Sequence, residues 1–398
     1  MKILFLMLDL PTDPRSSNLY LDLALEFHEN KHDIYIIAPS SHDQNTVLKK
    51  EKGVQVLRVR TLKQIGVSSK IKKGIAQVLL PYQYKNAYKK YLSEIDFDLI
   101  LMPTPPITLI DLALYVKKKT KAKLYLILRD IYPQAAVDTG LINSKLVYTF
   151  FRYLEKKTYN NSDIIGCMSQ GNIDYVINNN PLLSIEKLVL LPNWQKAFSL
   201  ENMNNDIRLK FNLQDKYIVL FGGNIGYGQK VENIILLAKH YQYNKNIVFL
   251  VIGNGVKKKY LQQMTVDNKL DNIMFMDGLP RDEYLQFVAK ADIGLITIDD
   301  RFTVPTIPSK TTSYFCLKLP VLAIIDAYTD YGKILEESKG GLWSVGGDDK
   351  SLFNNFDKLF ANPKLREEMG LNGYKYFEEH LASNLAYSNI IKQFNKIQ

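Results

Sequence analysis

The residues most suited to binding an anion lie in the stretch 302–322, which contains Ser309 and Lys310. Apolar segments typical of buried strands, 293–298 and 321–325, flank it. Ser309 is a favourable N-cap residue, and Lys310 falls at the start of a short apolar helix. A loop between a parallel strand and a helix presents free N–H groups, and a lysine adds a full positive charge. The pattern indicates a diphosphate site, and an ordinary connection with a solvated lysine is the alternative.

Two glycine-rich turns in the same half of the chain have matching chemistry. The segments 222–228 (Gly-Gly-Asn-Ile-Gly-Tyr-Gly) and 253–255 (Gly-Asn-Gly) each follow an apolar strand and precede a helix. Glycines let a backbone approach a phosphate closely and present its N–H groups. The first turn fits neither the P-loop nor the GxGxxG pattern, and a plain glycine-rich turn is equally compatible with it. Together with Lys310, these turns predict three loops that converge on one nucleotide diphosphate.

The first half of the chain offers fewer groups of this kind. Asp13 and Arg15 follow the first strand, and Arg129 and Asp130 follow the apolar segment 124–128. All four are therefore expected at the carboxyl ends of strands, where an acceptor would enter. A structural ion pair is the alternative for Arg129 and Asp130.

Metal and redox chemistry are not expected from this sequence. The five histidines are scattered, and the DxD-like pairs at 96–98 and 299–300 precede a strand or lack a partner motif. Cys167 and Cys316 lie in apolar segments, which fits a reducing cytoplasm. The apolar start, Met1–Leu8, is too short for a signal peptide, and no apolar run approaches a membrane span.

Short apolar strands that alternate with amphipathic helices predict an α/β protein with doubly wound parallel sheets. The pattern is interrupted by the polar run 201–206 and then starts again. We therefore predict two facing Rossmann-like domains with a cleft between them, 1–196 and 197–380. A final helix, about 381–398, is expected to pack back on the first domain.

The net charge of +10 is unevenly distributed. Residues 49–90 hold twelve basic side chains and one acid, with tyrosines and leucines interleaved. They are expected to include a helix, 70–93, that breaks at Pro81. Such a segment suits an anionic membrane surface, at about 1 kcal/mol per basic residue near the lipid. A solvated helix face and, less favoured, a nucleic-acid patch are the alternatives.

Taken together, several motifs resemble the bacterial family 4 glycosyltransferases, whose GT-B fold has two facing Rossmann-like domains. The similarity covers almost the whole chain. Arg129–Pro133 and Pro308–Lys310 are most similar to the branch that contains N-acetylfucosamine transferases of surface-polysaccharide assembly. The other matching segments are 31–37, 169–170, 191–194, 221–226, 251–255, 278–284 and 319–321.

The resemblance implies a retaining, metal-independent glycosyltransferase that moves a sugar from a nucleotide sugar, with a UDP-sugar as the first expectation, and needs no cofactor. The implied acceptor is a polyprenyl-linked or growing surface glycan. Catalytic roles are expected for Lys310, Asp130 and Arg129, and acceptor binding for Asp13 and Arg15. The expected donor-binding residues are Gly223, Asn224, Gly226, Lys230, Gly253, Asn254, Arg281, Ser309 and Thr311.

Some positions depart from the family pattern. Two glutamates common in relatives align with Pro305 and Ser313, and an Arg and a Lys after the glycine turn align with Asn224 and Gln229. The phosphate charge is therefore expected to fall on the remaining cations of that half, which are Lys310, Arg281 and Lys230.

The expected location is the cytoplasm, with peripheral attachment to the inner face of the cell membrane through residues 49–90 and no binding of nucleic acid. Two other functions remain possible on the sequence. The first is a nucleotide-sugar epimerase of the same architecture, which would need acid/base groups that this sequence is poor in. The second is a non-enzymatic, basic glycan-binding protein.

Overall fold

The structure is a computed structural model that describes residues 1–13, 16–40, 45–62, 70–198 and 207–397, apart from the side chains of Lys70, Ile71 and Lys73. The chain forms two compact units. The first comprises Met1–Pro192 together with Ser383–Gln398, and the second comprises Asn193–Ala382.

Each unit is built on a β-sheet. In chain order, the strands are β1 (Lys2–Leu6), β2 (Asp33–Pro39), β3 (Val47–Glu51), β4 (Val54–Val59), β5 (Leu99–Thr104), β6 (Lys123–Leu128), β7 (Ile164–Cys167), β8 (Leu188–Leu190), β9 (Tyr217–Gly222), β10 (Ile247–Ile252), β11 (Ile273–Met276), β12 (Ile293–Thr297), β13 (Val321–Ile325) and β14 (Gly341–Val345). Their order is β3-β4-β2-β1-β5-β6-β7-β8 in the first sheet and β11-β10-β9-β12-β13-β14 in the second.

Helices connect these strands. In chain order, they are α1 (Leu19–Glu29), α2 (Lys70–Tyr91), α3 (Ile110–Thr120), α4 (Gln134–Asp138), α5 (Lys145–Asn161), α6 (Gln170–Asn179), α7 (Ile207–Lys210), α8 (Glu232–His240), α9 (Lys258–Asp267), α10 (Arg281–Lys290), α11 (Lys310–Cys316), α12 (Tyr331–Ser338), α13 (Asp349–Ala361), α14 (Pro363–Tyr376) and α15 (Ser383–Asn395). A 3₁₀ turn, Ile107–Leu109, precedes α3. Within the part of the chain that the structure describes, none of the helices combines the length and the apolar character that crossing a bilayer requires.

The strands at the centre of each sheet are buried along their length, for example β5 and β12. Parallel strands that helices cover on both faces read as continuous apolar runs, which is why the sequence pattern identifies them. The α/β class with two parallel-sheet domains is confirmed. The sequence pattern missed β3, an antiparallel edge strand, because its polar residues are largely exposed.

Each sheet has a position where the direction of strand succession reverses. It lies between β1 and β5 in the first sheet and between β9 and β12 in the second. In open α/β sheets, ligands bind beyond the carboxyl ends of the strands at this switch point. The loops that follow β9 and β12 contain the first glycine turn and Lys310, so the fold places both at the switch point of the second unit.

The carboxyl-terminal helix belongs to the first unit, where α15 packs on α1. The hydroxyl of Ser383 donates to the Glu26 carboxylate, and the Tyr387 ring meets the Phe27 ring edge-on at 4.9 Å. The helix α15 therefore covers an apolar face of α1.

The predicted helix break at Pro81 is wrong, because α2 runs without interruption through that residue. A proline removes one helical hydrogen bond and crowds the preceding turn, which costs about 3 kcal/mol in a helix interior. Leu80 and Tyr84, on either side of Pro81, are fully buried. Their packing holds both halves of the helix against the sheet.

A buried arginine ties the loop after β1 to the β3–β4 hairpin. Arg58 is only 2% exposed. Its guanidinium makes two hydrogen bonds to the Glu51 carboxylate, at 2.9 and 2.7 Å, and donates at 2.8 Å to the carbonyl oxygens of Leu10 and Pro11. One side chain thus satisfies a carboxylate and two backbone acceptors.

Replacing this arginine is expected to destabilise the first unit strongly. Arg58→Met should lower the free energy of unfolding by about 3 kcal/mol, since it leaves the partly buried Glu51 carboxylate and two backbone carbonyls without their partner. Urea denaturation followed by circular dichroism measures the change. In the control, Lys49→Met removes a half-exposed ion pair with the same Glu51 and should cost less than about 1 kcal/mol. Equal losses in the two variants would contradict this role of Arg58.

Candidate functional site

The two glycine turns of the second unit are in direct backbone contact. The Ile225 N–H donates to the carbonyl oxygen of Asn254 at 3.0 Å. A Cβ atom on Gly253 would lie 1.8 Å from the Gly223 carbonyl oxygen, and one on Gly255 would lie 2.2 Å from that of Ile225. Gly223 itself has φ +103°, a region that favours glycine. The spacing of the two turns therefore requires glycine at these positions.

Lys310 lies against the first of these turns. Its ammonium group is 3.9 Å from the centroid of the Phe221 ring, at the end of β9, and donates to the Gln229 side-chain oxygen at 2.9 Å. The described partners of this cation are thus an aromatic face and a neutral amide. Desolvation lowers the pKa of Lys310 to about 7, although the side chain as a whole remains partly exposed.

Ser309 occupies the predicted position directly before α11, but it does not cap the helix. Its backbone is already helical (φ −66°, ψ −23°), whereas an N-cap residue has an extended backbone, and its side chain makes no capping hydrogen bond. The helix α11 that follows has only 7 residues. Charge at this loop therefore comes from the Lys310 side chain.

Two tyrosines, which sequence reasoning did not single out, lie behind the end of β9. The Tyr314 hydroxyl accepts from the Gly222 N–H at 3.3 Å and donates to the Leu220 carbonyl at 3.1 Å. A Cβ atom on Gly222 would be 2.1 Å from the Tyr284 hydroxyl, so this strand end packs directly on the ring. These contacts fix the strand end on which Phe221 and the glycine turn depend.

Asn254 lies in a network with the loop after β11. In the amide orientation that satisfies its neighbours, its nitrogen donates to the Gly253 carbonyl and to Asp277, and its oxygen accepts from the Gly278 N–H. Lys258, which sequence reasoning did not single out, donates to the Gly253 carbonyl at 2.9 Å and to Asp277 at 2.7 Å. The side chain of Lys258 thus joins the second glycine turn to its neighbouring loop.

The other expected donor-binding residues fall into two groups. Asn224 is exposed, and its side chain lies against buried Gly226, in the first turn. Thr311 is buried, with its hydroxyl 2.7 Å from that of Tyr331. Exposed Ser309 offers its carbonyl to Thr312. Asn224 and Gly226 therefore lie in the first glycine turn, while the Thr311 hydroxyl makes its contact inside the second unit.

The remaining two expected cations have partners of their own. Lys230 forms an ion pair with Asp300 at 2.5 Å. Arg281 extends toward the carbonyl oxygen of Lys196, at 3.5 Å. Asp299 is likewise paired, with Arg301 at 2.7 Å. Among the described residues, no cluster of three or more His, Cys, Asp or Glu side chains is arranged to hold a metal ion.

In the first unit, Arg129 and Asp130 have different environments. The Arg129 side chain is buried and donates to the Leu191 carbonyl at 3.0 Å, and desolvation lowers its pKa to about 10. Asp130 lies at the carboxyl end of β6 with its side chain exposed. Tyr20, whose pKa burial raises to about 12, lies within electrostatic reach of Asp130 and Asp9. Tyr20 and Asp9 are additions that sequence spacing did not indicate.

Asp13 lines a cavity of about 230 Å³ beside the β3–β4 hairpin. Apolar side chains such as Leu10 and Val56 contribute to its walls, and Lys49 and Lys52 also line it. Arg15, the second expected acceptor residue, lies outside the described residues.

Among the described residues of the basic segment 49–90, several cations make contacts within the first unit. Arg58 is buried, and Lys52 donates to the Ser16 carbonyl. Lys85 and Lys89 lie over the Tyr115 ring, at 4.3 and 5.5 Å from its centroid. Several cations of the segment are therefore used in contacts within the unit.

The lowered pKa of Lys310 has a consequence for stability. Its folded-state pKa of about 7 lies below the ordinary value of 10.5, so between these pH values the unfolded chain binds more protons and stability rises with pH. Lys310→Met is therefore expected to be more stable than the wild type at pH 7, with a difference that shrinks toward pH 10. Urea denaturation across this range measures the difference. The control is Lys350→Met, at an exposed position, and an equal pH trend in both variants would refute the lowered pKa.

Comparison with known proteins gives a family for part of the chain. Residues 203–376 match the family described as "Glycosyl transferases group 1". The "Probable glycosyltransferase WbjE" of Pseudomonas aeruginosa is 22% identical over 269 residues, 66% of either chain. The "Putative colanic acid biosynthesis glycosyl transferase WcaI" of Escherichia coli (strain K12) is 24% identical over 191 residues, which are 47% of this chain and 46% of that protein. The chain thus spans just under two thirds of one relative and about half of the other.

A solved structure extends the similarity in fold to the whole chain. HepE of Anabaena, determined in complex with UDP-glucose, superposes with a TM-score of 0.70 at 13% identity and full coverage of both chains. At this identity the likeness concerns the fold alone. The segment that matches the group 1 glycosyl transferases, residues 203–376, includes both glycine turns and Lys310.

Proposed function

We propose that the chain is a retaining, metal-independent glycosyltransferase that moves a sugar from a nucleoside-diphosphate donor, in the first instance a UDP-sugar, to a lipid-linked or growing surface glycan. The observation that carries the proposal is the position of Lys310 between Phe221 and Gln229, next to two interlocked glycine turns. The UDP-glucose complex of HepE supports the donor class, and the similarity to WcaI, a putative glycosyl transferase of colanic acid biosynthesis, supports a glycan as the product.

Lys310 acts on the leaving group. Glycosyl transfer has an oxocarbenium-like transition state, and the departing diphosphate gains negative charge. The described partners of Lys310 carry no negative charge, so its ammonium is available to a phosphate. A bound phosphate favours the protonated form of Lys310, so donor binding raises the pKa of this lysine. Above pH 7, the lysine therefore takes up a proton when the donor binds. Exposed Asn224 adds a backbone N–H donor for the same diphosphate, whereas the Gly223 N–H already donates to the Ile252 carbonyl at 2.9 Å.

Metal independence is supported by how the acids near the first turn are used. Asp299 and Asp300, which would be the obvious ligands for a divalent cation, are paired with Arg301 and Lys230. A lysine in place of a metal ion neutralises the diphosphate in this proposal.

Retention follows without an enzyme nucleophile. The bond between the anomeric carbon and the diphosphate oxygen breaks, and the acceptor oxygen bonds to that carbon on the same face. The acceptor proton passes to the departing phosphate oxygen. Exclusion of water is then essential, because water competes with the acceptor for the activated sugar.

The first unit supplies the acceptor site in this proposal. Asp130 is an exposed carboxylate at the carboxyl end of β6, and Tyr20 lies in its electrostatic environment. Buried Arg129 acts as a positioning residue, because its guanidinium is anchored on the Leu191 carbonyl. Asp13, on the wall of the cavity beside the β3–β4 hairpin, contributes to acceptor binding.

Two finer assignments belong to the same proposal. Resemblance at Arg129–Pro133 and Pro308–Lys310 favours N-acetylfucosamine or a related N-acetylated sugar as the transferred group. A lipid-linked acceptor and the basic segment 49–90 favour a cytoplasmic enzyme that attaches to the inner face of the cell membrane.

Removing the Lys310 charge is expected to reduce turnover. Lys310→Ala should lower kcat by roughly 10²–10³, the usual effect of deleting one donor from an anion-stabilising site. Lys310→Arg, which keeps the charge, should retain more of the rate. The measurement is the hydrolysis or transfer rate with the best UDP-sugar, with Lys350→Ala as control. Near-normal turnover in Lys310→Ala would remove this lysine from the mechanism.

A panel of nucleotide sugars tests the function as a whole. At least one UDP-sugar, with UDP-N-acetylfucosamine the first candidate, is expected to raise the melting temperature, because a ligand that binds only the folded state stabilises it. The same compound should be hydrolysed slowly without an acceptor and give a product of unchanged anomeric configuration by NMR. Conversion to a different nucleotide sugar without an acceptor would instead identify an epimerase, and no stabilisation by any member would reject the donor class.

A further inference from the structure

The helix α5 exposes an apolar stripe that the fold does not cover. Leu146 is 84% exposed, Val147 42%, Phe150 46% and Tyr153 62%. These positions recur at helical spacing and therefore lie on one face. Large apolar side chains that cluster on a surface indicate an interaction site, whereas isolated ones do not.

The helix α2 carries a second stripe of the same kind. Ile75 is 50% exposed, Val78 45%, Leu79 40% and Tyr82 66%, again at helical spacing. The two helices flank the same element, since both α2 and α5 pack on the 3₁₀ turn Ile107–Leu109 and on α3. The stripes therefore belong to one side of the first unit.

Both stripes lie on the parts of α2 and α5 that extend beyond the start of α3, the helix that packs between them. In α5, Lys157 pairs with Asp111, in the first turn of α3, so residues 145–156 continue beyond the start of α3. In α2, Lys85 lies over the Tyr115 ring, one turn into α3, so the residues before Tyr82 likewise extend beyond it.

This overhang points toward the carboxyl edge of the sheet. The helices α2 and α5 lead into the parallel strands β5 and β7, so their amino-terminal halves lie at the carboxyl ends of the strands. Consistent with this, the Tyr84 hydroxyl donates to the carbonyl of Met7, just past the end of β1. Asp130 also follows the carboxyl end of a strand, so the stripes project from the edge that carries the proposed acceptor site.

The sequences of these two helices both carry a net positive charge. The α2 sequence contains six lysines and no acid, and that of α5 contains four basic residues and one acid, Glu155. Glu155 is buried and paired with Arg152 at 2.5 Å. Lys145 and Lys156 are exposed beside the α5 stripe. On α5, apolar side chains bordered by exposed lysines match an anionic lipid surface both in apolar burial and in charge.

We propose that the overhanging parts of α2 and α5, residues 74–82 and 145–153, form one surface that docks on an anionic lipid bilayer. The proposal deepens the function proposed above, on which it rests, since it brings the acceptor end of the first unit to the membrane. It narrows the contact within the basic segment 49–90 to α2 and adds α5, which lies outside that segment. A second copy of the chain is a poorer occupant, because a two-fold contact would set these lysines against one another.

Vesicle co-sedimentation tests the surface. The full-length protein is expected to bind vesicles of phosphatidylcholine that contain phosphatidylglycerol, and to bind pure phosphatidylcholine more weakly. Leu146→Glu/Phe150→Glu and Ile75→Glu/Leu79→Glu should each weaken binding by more than about tenfold, because each pair removes two apolar side chains and adds two negative charges.

The matched control is Tyr243→Glu/Val266→Glu, which makes the same kind of change at exposed apolar positions of the second unit, 88% and 69% exposed. It should bind vesicles like the wild type. Wild-type binding by the α5 variant, or an equal loss in the control, would overturn the proposal. So would a wild-type dimer in analytical ultracentrifugation that the stripe variants dissociate.

Stabilisation by UDP, measured on the same preparations, separates this proposal from the one on which it rests. It is expected to be unchanged in all three variants. Its absence in the wild type would overturn the donor proposal, whereas absent vesicle binding with intact UDP stabilisation would overturn the docking surface alone.

Discussion

The close approach of two backbone turns is the constraint on which the candidate donor site depends. Gly253 leaves no room for a Cβ atom beside the Gly223 carbonyl, and Gly255 leaves none beside Ile225. The contact holds the ends of β9 and β10 together, next to the switch point between β9 and β12. Any side chain at Gly253 would separate the turns and move the backbone that faces Lys310.

Charge within the second unit is distributed so that one lysine differs from its neighbours. Lys230, Lys257 and Lys258 each have a carboxylate partner, at 2.5 to 2.7 Å. Lys310 instead lies over an aromatic ring and donates to an amide. The paired lysines serve to connect loops, whereas a desolvated lysine with neutral partners gains most from an incoming anion, since no carboxylate must be displaced.

The first unit uses its cations differently. Arg58 holds the loop after β1 from inside, and Arg129 is anchored beneath the carboxyl edge of the sheet. On α5, Lys145 and Lys156 border an apolar stripe at the same edge. A buried arginine with several acceptors stabilises a fold. An exposed lysine on an overhanging helix keeps its ammonium group in water and remains available to a partner.

The sequence by itself determined the α/β class and the two parallel-sheet domains, because strands buried on both faces must be apolar along their length. It also indicated the two glycine turns, since backbone that packs this closely excludes other residues. The tertiary structure alone decided which polar groups meet: that Gln229 and Phe221 surround Lys310, that Tyr314 supports β9, that Arg129 faces inward, and that Asp300 neutralises Lys230. It also decided that α2 continues through Pro81 and that the amino-terminal parts of α2 and α5 extend beyond the start of α3. These outcomes depend on contacts between residues far apart in the chain, and local periodicity and propensity carry no information about such contacts.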